Sequence, residues 1–286
     1  MKDPIVPDIG APPWSRDAII GSLEAFEGVI RGRPFAGNEG GMGMPHLFAT
    51  WFILRALAPA TVIESGVWKG LGTWLIEQAC PQARIISIDP YLGKRRYVSP
   101  KVTYYDIDFT EIDWSSIDRT NAVVFFDDHQ NAINRLTQAR WLGFRHVIFE
   151  DNDVGGSGDF YTLRHAFEHA GFGTRTAARK ASQYTSFAAK AMRKLIAVAS
   201  GFGLSASSAI PQYVRDQVAA NRFDAYFLRR NLELYYEFPP VFAPEGKRAC
   251  LREPLLGEGE QAAHPDFYRD RNRYNQLCYV ALHPAV

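Results

Sequence analysis

The chain has 286 residues, 47% of them hydrophobic, which is enough to bury a sizeable core in one large domain or in a domain with a substantial appendage. Its 32 basic and 31 acidic residues leave a net charge of +1, so no global field draws it to nucleic acid or to an anionic membrane. The three cysteines, Cys80, Cys250 and Cys278, are far apart and odd in number, which argues against both a disulfide framework and a CxxC zinc site.

The opening segment MKDPIVPDIGAPPW carries prolines and acids where an export signal needs a basic start and an apolar run. Leu195 to Ile210 is too diluted by glycine and serine to span a membrane. A cytoplasmic setting with reduced thiols is therefore expected. Apolar residues at helical spacing predict a helix over Arg16 to Ile30, followed by a glycine-rich loop at Gly37 to Pro45 and a second helix from about His46 to Leu57.

From residue 61 the pattern becomes short apolar runs alternating with helical ones: TVIES at 61, RIISID at 84, KVTYYDID at 101, AVVFFDD at 122 and HVIFED at 146. Runs buried on both faces and separated by helices predict an α/β fold, Rossmann-like, with a mostly parallel central sheet. The acids at their carboxyl ends fall where such sheets bind ligands. Beyond about Gly155 the alternation is lost. Further strands are expected in the last third, for example at Ala225 to Leu228 and Gln276 to Leu282. The expected organisation is an N-terminal helical lead-in and lid (1–58), a cofactor-binding core (59–175), and a substrate-facing insertion with C-terminal strands packed on that core (176–286).

The first run leads into Gly66-Val67-Trp68-Lys69-Gly70 and then a helix. Glycines at 66 and 70 permit a tight turn and a close backbone approach to a ligand, and the helix start offers free N–H groups. The next run delivers Asp89, placed to accept hydrogen bonds from both hydroxyls of a ribose. The spacing is not GxGxxG, which disfavours a dinucleotide. The ExGxxxG loop from Glu64 to Gly70 resembles the first motif of class I S-adenosylmethionine-dependent methyltransferases, with Asp89 as their ribose acid. That resemblance implies Glu64 near the amino group of the methionyl end. It also implies Asp108 and Phe109 as the acid and apolar neighbour that address the adenine.

Two neighbouring parallel strands ending at Asp128 and at Asp151-Asn152 would bring these side chains together. This hard, oxygen-only set suits Mg2+ or another divalent cation such as calcium rather than zinc. The D-H followed one strand later by D-N resembles metal-dependent O-methyltransferases of the catechol type. It is also similar to the cephalosporin-hydroxylase-like and macrolide-sugar O-methyltransferase group, in which the second element reads E-D. The resemblance covers about Thr61 to Asp153 and implies Asp128 and Asp151 as ligands, with either Asn152 or Glu150 as the third. The catechol enzymes carry a lysine where this chain has Asn131, so His129 is the nearest candidate base.

The function implied is S-adenosylmethionine-dependent methyl transfer, assisted by a divalent metal, to a hydroxyl of a small molecule such as a sugar or secondary metabolite. The alternatives are a cephalosporin-hydroxylase-like oxygenase on the same fold and a non-catalytic subunit of a biosynthetic complex. The expected partner is the hydroxylated small molecule, with no nucleic acid and no membrane, and a homo-oligomer is compatible with the sequence. The loop Gly40 to Met44 is a candidate lid over the methionyl end. Gly155 to Gly158, Lys180 to Tyr213, Tyr235, Tyr236, Phe238 and Phe242 are candidates for shaping the substrate site, although aromatic residues more commonly fill cores.

Overall fold

A computed structural model of the chain describes residues 6–155, 157–170, 212–245, 252–274 and 276–284, with the backbone alone for 212–221. The chain divides into two compact units, Asp8–Asn152 with Asn231–Val286, and Met1–Pro7 with Asp153–Arg230. The first holds one seven-stranded sheet in the order β3-β2-β1-β4-β5-β7-β6. Its strands are β1 (Thr61–Ser65), β2 (Arg84–Ile88), β3 (Val102–Tyr105), β4 (Ala122–Phe126), β5 (His146–Phe149), β6 (Leu232–Glu237) and β7 (Cys278–Leu282). The pairs among β1 to β5 are all parallel, whereas β7 runs antiparallel to both β5 and β6. The reversed strand near one edge of an otherwise parallel sheet gives the Rossmann-like architecture of class I methyltransferases that the sequence predicts.

The central strands read as unbroken apolar runs because both faces are covered. Every residue of β1 and β4 is buried. Phe125 joins the larger core, which also takes in α2 (Leu23–Ile30), α3 (Met44–Leu57) and α4 (Leu71–Ala79). Its neighbour Phe126 faces the other way, into a cluster with Phe109 and Phe149. This is the alternation that a pleated strand imposes. Helix α3 is buried from Met44 through Leu54, so it is apolar around its circumference and not along one stripe.

The predicted helix over Arg16 to Ile30 is broken in two. The first part, α1 (Arg16–Ile20), ends at Gly21, whose N–H reaches back to Asp17 and Ile19, and α2 restarts after Ser22. Strand β7 lies where the apolar run predicts it. The run at Ala225 to Leu228 does not form a strand. It belongs to the helix Gln212–Asn231, with Ala225 and Leu228 buried three positions apart while Phe223 and Tyr226 are exposed, and β6 follows directly. A four-residue apolar run cannot distinguish the two periods without its flanks.

The second unit carries a short helix, Leu163–Phe167, capped by Thr162 and closed by the buried Arg164 paired to Glu168 at 2.7 Å. Gly155 donates its N–H to the same Glu168 at 2.6 Å. Most of the expected substrate stretch, residues 180 to 211, lies outside the described residues. Tyr235, Tyr236, Phe238 and Phe242 are all buried within the first unit, so their rings fill its core. No helix among the described residues is long and apolar enough to cross a membrane.

Candidate active site

Strand β1 lies in register between β2 and β4, so the turn that follows it opens at the carboxyl edge of the sheet. Gly66 has φ +101°, and a Cβ there would sit 2.0 Å from the carbonyl oxygen of Asp127, just past β4. No other residue fits. Gly70, at φ +87°, caps α4, and a Cβ would meet the carbonyl of Tyr97 at 2.5 Å. Asp89, at the end of β2, braces the turn: one carboxylate oxygen accepts from the N–H groups of Val67 and Trp68 at 2.9 and 3.0 Å, and the other from Tyr91 at 2.7 Å. A carboxylate offers about four acceptor positions, so capacity for a ribose hydroxyl remains.

Glu64 is fully buried in the middle of this arrangement. Its Oε2 accepts from the hydroxyls of Thr73 and Ser87, both at 2.6 Å, while its Oε1 has no hydrogen-bond partner. Burial, opposed by those two hydroxyls, pushes its carboxyl up to about 7. A small cavity of about 10 Å3 adjoins it, walled also by Asn38, Met42, Val67, Gly72 and Asp127. Asn38 Oδ1 is a second buried acceptor without a partner in the same wall. Two unpaired acceptors in one cavity call for a donor, and an ammonium group supplies three.

The glycine-rich loop covers this cavity. Trp68 Nε1 and Lys69 Nζ both donate to the carbonyl of Glu39, at 3.1 and 3.2 Å, and Lys69 also pairs with the Glu39 carboxylate at 2.7 Å. Arg96 and Arg273 hold the carbonyls of Gly37 and Gly41 at 3.3 and 3.4 Å. Trp68 is thus a tether for the loop, with its face carrying Lys94 at 4.7 Å.

The third-strand pair departs from expectation. Asp108 caps the turn Phe109–Glu111 and is gripped at both oxygens by Arg135, at 3.1 and 2.7 Å, which holds its carboxyl far below the usual carboxylate range. Phe109 has no exposed surface. Its ring packs against Trp114, Phe126 and Phe144 with centroids 5.3 to 5.6 Å apart, so it is core and presents no face to an adenine.

At the ends of β4 and β5 the acids sort differently from the sequence expectation. Asp128 turns toward α5 (Ala132–Trp141), accepting from Ser65 Oγ at 2.7 Å and pairing with Arg135 at 2.8 Å. Asn152 turns toward β6, donating to Tyr235 Oη at 2.7 Å and Glu237 Oε1 at 2.9 Å, all three being buried. Asn131, where the catechol enzymes have lysine, accepts from the N–H of Asn134 and caps α5.

Glu150 and Asp151 instead meet His46, from the first turns of α3. The ligating atoms of these three lie within 4.8 Å of one another, the one such group among the described residues. His46 Nδ1 is 3.6 Å from Glu150 Oε1, and its Nε2 is 3.8 Å from Asp151 Oδ1. Burial, offset by Asp151 and reinforced by Arg273, brings the imidazole down to about 4, so it is neutral at pH 7. Asp127 links the two regions. It walls the Glu64 cavity, and burial together with Asp151, Glu64, Asp128 and Asp89 raises its carboxyl well above the ordinary range. His129, half exposed and at φ +53°, places its Nε2 4.0 Å from Asp127 Oδ1.

No protein-family model matches the chain, and no curated protein matches it in sequence. Solved structures with loose likeness include an O-methyltransferase from Bacillus cereus in complex with S-adenosylhomocysteine (10% identity, 95% of this chain and 92% of that one, TM-score 0.40). Another is the O-methyltransferase TomG from Streptomyces achromogenes, involved in tomaymycin synthesis, in complex with S-adenosylmethionine (11% identity, 96% and 91%, TM-score 0.40). A third is named CmcI (17% identity, 52% and 70%, TM-score 0.32). The functional reading rests on the residues of the site.

Proposed function

We propose that the chain is an S-adenosylmethionine-dependent O-methyltransferase that acts on a hydroxyl of a small molecule with the help of a divalent cation. The observation that carries this reading is the unpartnered Oε1 of buried Glu64 in the wall of the glycine-loop cavity, a wall that includes Asp127. The cofactor, when bound, supplies an electrophilic methyl group, and a divalent cation supplies Lewis acidity toward an oxygen of the acceptor.

Glu64 and Asn38 receive the ammonium of the methionyl end, and the turn from Gly66 to Gly70 lets the backbone approach it without a side chain between. Asp89 receives the ribose. The loop from Gly37 to Gly43, tethered by Trp68 and Lys69, keeps water from the reacting centre. His46, Glu150 and Asp151 supply the donor set for the cation, and the proximity of two acids to an imidazole fits a positive ion. Asp127 takes the proton of the acceptor hydroxyl at its carboxylate and His129 passes it outward, since its ring is next to Asp127 and reaches solvent. Holding the hydroxyl in line with the methyl group supplies the rest of the rate.

The test is transfer of labelled methyl from S-adenosylmethionine to a panel of hydroxylated metabolites. Transfer that falls by about 100-fold or more in Asp127→Asn is the expected result. Oxygen uptake with a reductant and no methyl transfer would instead assign the oxygenase chemistry, which the imidazole at the strand ends makes worth measuring.

A further inference from the structure

We propose that the cation site is a mixed nitrogen and oxygen site, in which His46 joins Glu150 and Asp151 and which therefore takes a first-row transition ion, such as manganese(II) or iron(II), in preference to magnesium. It rests on the reading of these strand ends as the cation site of a methyltransferase. The sequence offers only the oxygen donors at the ends of β4 and β5, and those suit magnesium. The fold brings in a nitrogen donor from a distant segment.

The geometry favours one ion among these groups. His46 stands 3.6 Å from Glu150 Oε1 and 3.8 Å from Asp151 Oδ1, both longer than a hydrogen bond of about 2.7–3.2 Å. Those distances are to different ring nitrogens, and the ligating atoms of the three groups, one from each, lie within 4.8 Å of one another. Donors bound to one ion at about 2.1 Å lie about 3.0–3.4 Å apart, so a side-chain rotation of about an ångström or somewhat more completes the site. The imidazole is held in place. Pro45 stands in the first turn of α3, Met44 through Leu54 are buried, and the ring lies 4.8 Å from that of Tyr274.

The two oxygen donors are equally constrained. The N–H of Glu150 is bonded to the carbonyl of Phe126 at 3.0 Å, which fixes the start of the E-D pair against β4. Asp128 and Asn152, the other donors that the sequence suggests, are engaged by Arg135 and by Tyr235 with Glu237. Magnesium takes oxygen ligands almost exclusively, whereas imidazole suits later first-row ions and manganese tolerates both.

The experiment uses the full-length chain stripped of metal. Manganese(II) is titrated in, and pulsed electron paramagnetic resonance reads nitrogen-14 modulation from a coordinated imidazole. The expected result is a modulation that disappears in His46→Ala or in the bulkier His46→Gln and persists in His129→Ala. Manganese affinity should fall about tenfold or more in the His46 variants, with magnesium affinity changing far less. Manganese bound without nitrogen modulation, modulation surviving in a folded His46 variant, its loss in His129→Ala, or no stoichiometric manganese binding would each overturn the inference. Far-UV circular dichroism checks folding; if neither His46 variant folds, the wild-type and His129→Ala spectra decide. Binding of S-adenosylhomocysteine to the metal-free protein is measured on the same samples. Its absence overturns the methyltransferase reading, whereas its presence beside a nitrogen-free manganese signal overturns only this inference.

Discussion

Glu64 shows how a single buried carboxyl can report on a ligand. Its folded value of about 7 exceeds its ordinary 4.5, so between those limits the native state holds a proton that the unfolded chain has released. The stabilisation is fully present below about 4.5 and is lost as pH rises through 7, a change on the order of 3 kcal/mol at about 1.4 kcal/mol per unit. Urea denaturation of the ligand-free protein should therefore show the wild type losing stability relative to Glu64→Gln from pH 5 to pH 8, the contributions of His46 and Asp127 being common to both. A cationic amine favours the charged form, so binding of S-adenosylhomocysteine near pH 7 should release a fraction of a proton. Calorimetry in buffers of different ionisation enthalpy reads this directly. Gly66 is constrained by space as well as by its φ. Gly66→Ala drives a methyl into the backbone at Asp127 and should cost at least about 2 kcal/mol, measured by the same denaturation.

These two residues were legible in the sequence because their roles are local: a glycine turn after a strand, and an acid just before it. His46 was not, since its importance comes from α3 lying across the strand ends, and nothing in Met44-Pro45-His46 announces that. Phe109 was misread for the same reason. An apolar residue beside an acid can face a ligand or the core, and the choice is made by Trp114, Phe126 and Phe144.

Among the elements, α5 accounts for the acids that leave the site. Arg135 sits one turn into this helix and binds Asp108 and Asp128 together, so the β3 and β4 ends are tied to α5 by one guanidinium. Removing it strands two carboxylates, one of them mostly shielded from water. Arg135→Met should destabilise the fold by about 3 kcal/mol, somewhat less than a fully buried pair because Asp108 is partly exposed. The same assignment separates neighbouring acids. Asp151→Asn should abolish manganese binding, while Asp128→Asn should leave manganese affinity within about threefold of wild type, as isothermal titration can establish.

Strands β1, β2, β4 and β5 were legible from their apolar runs because a sheet covered on both faces needs uninterrupted hydrophobic residues, whereas the edge strand β3, with Thr103 exposed, was legible from its β-branched and aromatic residues. The direction in which an acid points after such a strand was not. Consecutive positions face opposite sides of the sheet, and the partner on each side comes from elsewhere in the chain: Arg135 for Asp128, His46 for Asp151, Tyr235 and Glu237 for Asn152.

At the scale of the molecule, the strand order places β1 and β4 side by side at the centre, where crossovers leave to opposite sides of the sheet and a crevice opens beyond the strand ends. Asp127 walls the Glu64 cavity and feels the charge of Asp151, so in the proposed function the glycine loop and the E-D strand end serve one site. The near balance of charge predicts no salt-sensitive affinity for nucleic acid, which filter binding at two ionic strengths would check.

The central claim, that the glycine-loop cavity holds the methionyl end of S-adenosylmethionine through Glu64, is tested most directly by calorimetric titration of S-adenosylhomocysteine into the metal-free protein and into Glu64→Gln. Saturable one-to-one binding that weakens by about tenfold or more in the variant is the predicted result. Binding of equal strength in both proteins, or none in the wild type, would contradict it.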